Sequence, residues 1–315
     1  MKIGRILLFV AVSAICVGLS FSRADAQTDT QTATDAQKQT AAKVAAEKED
    51  DSEDDEYERF FDISATVNLH GEKPTLELQY SSLGVDYKEI PNGAIAGFGV
   101  LDGRLGSVRT ISNKKNSLFY ERAKYLYFGY GATSLGMINT AEGAKTTLWR
   151  FGLGERSGRG WKFGDAGLVM YYGTAMIWSD FSLADTSVLT LQPKMNDFHD
   201  AFRFGKFTEG GAAFKIGESA AITLGYEQTA VFPRHLPFYW IFSEAIEGVA
   251  QEAAERFTRA VAKSSPQTAP IVGFLLHNGI GIGAGLLKKN RMNWPFDTAP
   301  ALLQNGMRLG VSFRF

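Results

Sequence analysis

The stretch N-G-M-R-L-G-V-S-F-R-F, from Asn305 to Phe315, alternates apolar with small or charged residues from Met307 to its end. Successive side chains of a strand point to opposite faces. Met307, Leu309, Val311, Phe313 and Phe315 therefore share one face, and Arg308, Gly310, Ser312 and Arg314 the other. One face suits an apolar medium; the other carries full charges.

The same period runs backward through the chain. Phe61, Ile63, Ala65, Val67 and Leu69 oppose Asp62, Ser64, Thr66, Asn68 and His70. After Gly71-Glu72-Lys73-Pro74, Leu76, Leu78 and Tyr80 oppose Glu77 and Gln79, as in a hairpin. Further on, Trp149, Phe151 and Leu153 oppose Arg150, while Ile222, Leu224 and Tyr226 oppose Thr223 and Glu227. An apolar-out, polar-in alternation is the mark of a transmembrane barrel. The segments exceed the roughly 9–11 residues that a tilted strand needs to cross a bilayer. Phe60, Tyr87, Tyr125, Trp161, Trp178, Phe198 and Phe232 fall near predicted strand ends, where an aromatic belt is expected.

The N-terminus points to export. Lys2 and Arg5 precede an apolar run from Ile6 to Leu19, followed by Ala24-Asp25-Ala26. Charged flank, short apolar core and small-residue exit make a secretory signal, with cleavage expected after Ala26. Cys16 is the single cysteine and lies inside that signal, so the mature chain is expected to hold neither disulfide nor thiolate metal site. The segment 27–58 is rich in Thr, Gln and Ala and then acidic, too polar to offset its ordering entropy. It reads as a disordered periplasmic tether. Near-balance between 33 basic and 34 acidic residues argues against a nucleic-acid partner.

With export and alternation established, the ending at Phe313 and Phe315 resembles the C-terminal recognition strand of Gram-negative outer-membrane proteins, which the barrel-assembly machinery reads. The resemblance covers this one strand and identifies a class. It implies an all-β, antiparallel up-and-down barrel over residues 59–315, set in outer-membrane lipid. Candidate strands at 60–70, 74–83, 93–102, 117–132, 144–154, 164–178, 198–207, 211–217, 220–231, 270–287 and 306–315, with 104–111 in reserve, suggest about ten to twelve after the even-number rule.

One helix interrupts the pattern. Phe242, Ile246, Val249, Ala253, Phe257 and Ala260 recur at helical spacing, with Glu244, Glu247, Gln251, Glu255 and Arg259 largely elsewhere, predicting an amphipathic helix over 238–263. It can plug the lumen, cover a mouth or lie on the membrane surface. In the segment that follows, Gly279, Gly281, Gly283 and Gly285 occupy alternate positions. Read as a strand, this row leaves bare backbone inside the barrel, where the helix would pack; relief of curvature is the other explanation, and a transmembrane helix the poorer fit.

Chemistry is sparse. His70, His199, His235 and His277 form no metal-ligand spacing, and neither a G-x-S-x-G elbow nor a nucleotide fingerprint is present. No cofactor or metal is expected. Two constellations remain. Asp197-Phe198-His199-Asp200 sets an imidazole between carboxylates, the basis for a lipid acyl hydrolase centred on His199, with Ser179, Ser182 and Ser187 upstream. Glu77, Arg150, Asp165, Arg203, Glu227, Arg308 and Arg314 make an inward charge set that would tune selectivity for small solutes in a narrow channel, or hold a filled barrel together. A non-enzymatic channel or structural barrel leads, ahead of the hydrolase and of a soluble secreted barrel binding an apolar ligand.

Overall fold

The computed structural model describes residues 72–315 apart from 89, 92, 114–116, 138–142 and 185–192. The expected signal peptide, tether and strand at 60–70, with His70, lie outside the described residues.

Eight antiparallel strands close into one barrel in chain order. They are β1 (Glu72–Asp86), β2 (Phe98–Asn113), β3 (Leu118–Ala132), β4 (Thr146–Phe163), β5 (Ala166–Leu183), β6 (Phe202–Ile216), β7 (Ala220–Val231) and β8 (Leu302–Arg314). β8 bonds to β7 on one side and to β1 on the other, setting Leu309 opposite both Leu224 and Tyr80. The strand ending in the alternating stretch is thus the closing strand.

The barrel has eight strands rather than ten or twelve. Segments 93–102 and 104–111 are one strand, β2. Segments 198–207 and 211–217 are also one, β6, because Gly210 and Gly211 lie within the ladder and not at a turn. Both edges of β1 are taken, by β2 and β8.

The ends differ. Strands β4 and β5 are joined by Gly164 and Asp165, and β6 and β7 by Gly217 to Ser219. Gly164 and Gly217 adopt φ of +62° and +63°, a conformation that glycine takes without steric cost. At the opposite end the connections are longer, and the one between β7 and β8 holds two helices: α1 (Pro237–Ser264) and α2 (Ala269–Asn290).

The prediction of a helix over 238–263 agrees with α1 to within a residue at each end. The strand expected at 270–287 is α2 instead. All eight positions around the barrel are filled without it, and the apolar segment has enough residues for six helical turns.

Candidate functional site

Inside the barrel, alternation delivers charge from every wall. Arg104 of β2 reaches Glu209 of β6 at 2.9 and 3.1 Å, and Arg308 of β8 binds the same carboxylate. Arg150 of β4 bridges Asp102, through its Nε at 3.0 Å, and Glu227 at 2.8 Å. Arg156 donates to Glu77 at 3.0 Å, and Ser81 to Glu227 at 2.7 Å. The Tyr125 hydroxyl donates to Glu209 at 2.9 Å, and the Arg104 guanidinium lies 4.3 Å from the centre of the Tyr125 ring. Among the described residues, these lumen charges are paired across the bore. Arg104, Arg150, Arg308, Glu209 and Glu227 are all at most 2% exposed.

Apolar layers close the lattice above and below. Toward the short-turn end, Phe119, Val169, Tyr171 and Ala213 pack together, followed by Arg314 clasping Glu121 at 2.6 and 3.0 Å. At the long-connection end, Leu83, Tyr87, Phe98, Leu148, Phe181, Met195 and Phe198 form a buried cluster across the mouth. Tyr87, Tyr125, Phe198 and Phe232 are thus buried rather than members of an outer belt. Of the expected belt, Trp178 does join an aromatic patch on the outer wall, where Tyr130 meets Trp149, Phe128 meets Phe151, and Phe151 meets Trp178.

Of the expected inward set, Glu77, Arg150, Glu227, Arg308 and Arg314 are buried in the lumen. Asp165 is not; it sits exposed in the β4–β5 turn. Arg203 binds the Asp197 carbonyl at the rim of the long-connection end. Asp102, Arg104, Glu121, Arg156 and Glu209 complete the lattice, although the sequence reading did not single them out. Their signal was there: Asp102 and Arg104 share one face of β2 opposite Leu101 and Leu105, and Glu209 shares that of Phe207 on β6.

Among the described residues no serine is hydrogen-bonded to His199, and Ser187 lies outside them. The His199 Nδ1 accepts the Leu183 backbone N–H at 3.1 Å, and its Nε2 faces Asp200 at 3.4 Å. Ser182 donates to Asp200 rather than to the imidazole. A hydrolase dyad needs the serine on the histidine. Here the carboxylate stands between them.

The second polar assembly lies on the outside. Strands β4 to β7 turn Ser157, Arg159, Tyr172, Thr174, Lys206, Thr208 and Gln228 outward, and the two helices cover them as an antiparallel hairpin. α1 runs from the long-connection end, where Lys206 meets Glu244 and Glu247, toward the short-turn end, where Arg159 meets Glu255 at 2.5 Å. The Trp161 indole donates to the Gln267 carbonyl between the helices at 3.2 Å. α2 returns, and Lys288 joins Glu244 and Glu247 at 2.6 and 2.9 Å. Lys289 then binds Asp86 at the end of β1 at 2.6 Å.

The expectation that the helix packs into or against the lumen is therefore corrected. The lumen is filled by the barrel's own side chains, and the hairpin sits on the outer wall. The glycine row acts at a spacing of four, not two. Gly273, Gly281 and Gly285 lie buried on one stripe of α2 with His277, and a Cβ at Gly281 would come within 2.7 Å of the Thr208 methyl. Small residues repeated every four positions let a helix approach a neighbour closely. Gly279 and Gly283 face open space.

At the centre of this interface His277 lies flat on Tyr172, ring centres 3.9 Å apart and planes within 8°. Its Nδ1 is 2.5 Å from Gln251 Oε1 and its Nε2 3.3 Å from Glu255 Oε2. A cavity of about 360 Å³ opens beside the stack, lined among others by Thr174, Lys206, Thr208, Gln251, Glu255 and His277. Its carboxylates are each engaged by a neighbouring cation, Glu155 by Arg122 and Glu252 by Arg256 among them. Among the described residues no three His, Cys, Asp or Glu side chains gather in a way that would hold a metal ion.

No family model matches the sequence, and no curated protein matches it either. Among solved structures, the fold is similar to Neisserial surface protein A, at 8% identity over 78% of this chain and 97% of that one, with a TM-score of 0.33. It is also similar to Ail, the attachment invasion locus protein of Yersinia pestis, at 10% identity over 78% and 99%, with a TM-score of 0.29. The chain has a closed, eight-stranded, antiparallel up-and-down barrel architecture.

Proposed function

We propose that this chain is an integral outer-membrane barrel that serves as a structural, non-conducting element of the membrane. One observation carries the reading: the Arg104–Glu209–Arg308 and Asp102–Arg150–Glu227 clusters tie opposite walls together and leave their charges buried. A channel lined for selectivity keeps its charges solvated so that ions can exchange with them. Eight-stranded barrels have bores just wide enough for side chains to fill, and this one is filled.

The location is supported by the wall. Leu78, Leu101, Leu105, Phe128, Met307 and Leu309 form an exposed apolar surface over β1, β2, β3 and β8, bounded by the aromatic patch. Short turns at one end and long connections at the other match the periplasmic and external ends of such barrels. On this reading an N-terminal signal cleaved after Ala26 exports the chain, and Phe313 and Phe315 present it to the assembly machinery. Planar-bilayer recording of the detergent-purified chain tests the function: a flat baseline is expected, and discrete conductance steps overturn it.

A further inference from the structure

We infer that the α1–α2 hairpin lies within the bilayer alongside the barrel, its outward face against lipid acyl chains and its charged face sealed on the barrel wall. The inference rests on the membrane reading above and adds a helical, lipid-facing element to it.

The hairpin turns an apolar stripe outward, interrupted on α1 by one exposed ion pair, Arg256 with Glu252. On α1, Phe242, Ile246, Val249 and Phe257 are exposed, whereas Ser243, Glu255 and Thr258 are buried against the barrel and α2. In water the arrangement would be reversed, with the apolar stripe buried and the carboxylates solvated. On α2, Ile271, Leu275 and Leu286 face outward, and His277, Asn278 and Lys288 face in. The exposed apolar surface of the helices continues that of the strands.

The wall under the hairpin is the complement. Where strands are uncovered, the outward side chains include Leu78, Leu101, Leu105, Leu126, Phe128, Met307 and Leu309, with Arg109, Arg122 and Lys124 toward the short-turn end. Beneath the helices they are Ser157, Arg159, Thr174, Lys206 and Thr208, and the charged ones are matched by Glu244, Glu247 and Glu255.

Length agrees. At 1.5 Å per residue, α2 extends about 33 Å and α1 about 42 Å, against a hydrocarbon core of about 30 Å. Within Pro266–Asn290, the most apolar 18-residue window has a mean hydropathy of 1.5, enough by composition to cross a membrane. The hairpin also traverses the wall, from Lys206 to Trp161 and back to Asp86.

The test uses the full chain with Cys16→Ser, folded in phosphatidylcholine nanodiscs. Single cysteines replace Val249 and Leu275 on the hairpin and Leu105 and Leu309 on the barrel, each carrying an environment-sensitive fluorophore. All four positions are exposed, so labelling leaves the packing intact, which gel mobility before and after boiling verifies. Fluorescence loss is expected to be greater with a nitroxide on the lipid acyl chain than with an aqueous nickel chelate at all four positions. If the barrel probes respond to the lipid quencher and the hairpin probes to the aqueous one, the inference fails while the membrane reading survives. If all four respond to the aqueous quencher, the membrane reading fails. Hairpin probes shielded from both quenchers would mean that a second copy or another protein covers that face, which also overturns the inference.

Discussion

The imidazole of His277 lies parallel to the phenol of Tyr172 at 3.9 Å, joining the second helix to the outer wall of the fifth strand. Gln251 and Glu255 of the first helix hold the two ring nitrogens. One contact thus ties both helices to the barrel. Stacked aromatic pairs contribute about 0.5–1.5 kcal/mol beyond their buried area. Tyr172→Leu is expected to loosen the hairpin by that order while the barrel stays closed. Hydrogen exchange in α1 and α2 should quicken, with the β-strand amides unchanged; unaltered helix protection would refute the assignment.

Glu209 neutralises two guanidinium groups, Arg104 and Arg308, that are otherwise buried side by side. Removing one partner of a buried ion cluster costs about 3–5 kcal/mol. Glu209→Gln should lower the urea midpoint of the detergent-folded barrel by an amount of that order. Adding Arg308→Met, which removes the second positive charge, should recover a measurable part. A double variant no more stable than the single one would show that the cost lies elsewhere.

The four alternate glycines of α2, Gly279 to Gly285, divide into two pairs. Gly281→Leu must push against Thr208, whereas Gly283→Ala meets nothing within 4 Å. Ala is favoured over Gly in a helix by about 1 kcal/mol. The first variant is expected to lower the thermal midpoint of hairpin detachment and the second to leave it level or raise it slightly. Equal behaviour of the two would contradict the docking described for this face.

Phe315 is three-quarters exposed, and its backbone N–H bonds the Pro74 carbonyl. Substitution of its ring is therefore expected to change equilibrium stability by no more than about 0.5 kcal/mol. Its proposed role lies in assembly. Phe315→Ala should reduce the amount of folded barrel in cells while the unfolding midpoint of what does fold stays unchanged. A shifted midpoint would assign the residue to stability instead.

Much of the barrel was legible because a strand's period is two and its faces differ so sharply. Leu309 against Arg308, and Trp149 against Arg150, each give lipid side and lumen side at a glance. Which inward charges meet is a matter of register and barrel diameter, properties of several strands at once. Glu209 consequently gave no sign that it would serve both Arg104 and Arg308. The segment 270–287 misled for a specific reason. Glycines two apart are also glycines four apart, so Gly281 and Gly285 fit a strand row and a helix stripe equally well. His277 breaks the tie only once Tyr172 is known to lie beneath it. The amphipathic stripe of α1 was correctly located, but its direction depends on what surrounds the helix. A stripe assumed to seek protein instead points away from it.

About 70 residues separate Val231 from Leu302, whereas β6 and β7 are joined by a turn of three. Bringing together chain ends over that longer separation costs on the order of 3 kcal/mol more in loop-closure entropy. The final strand is thus the one strand with no local neighbour: it must find β7 across the helical detour and β1 across nearly the whole described chain. Seven strands can zip up in order of synthesis, each on its predecessor. The eighth arrives late and unguided, and in the interval β1 and β7 stand with raw edges. The detour loads that entropic cost onto the last pairing, the step at which an outside template for the final strand would matter most.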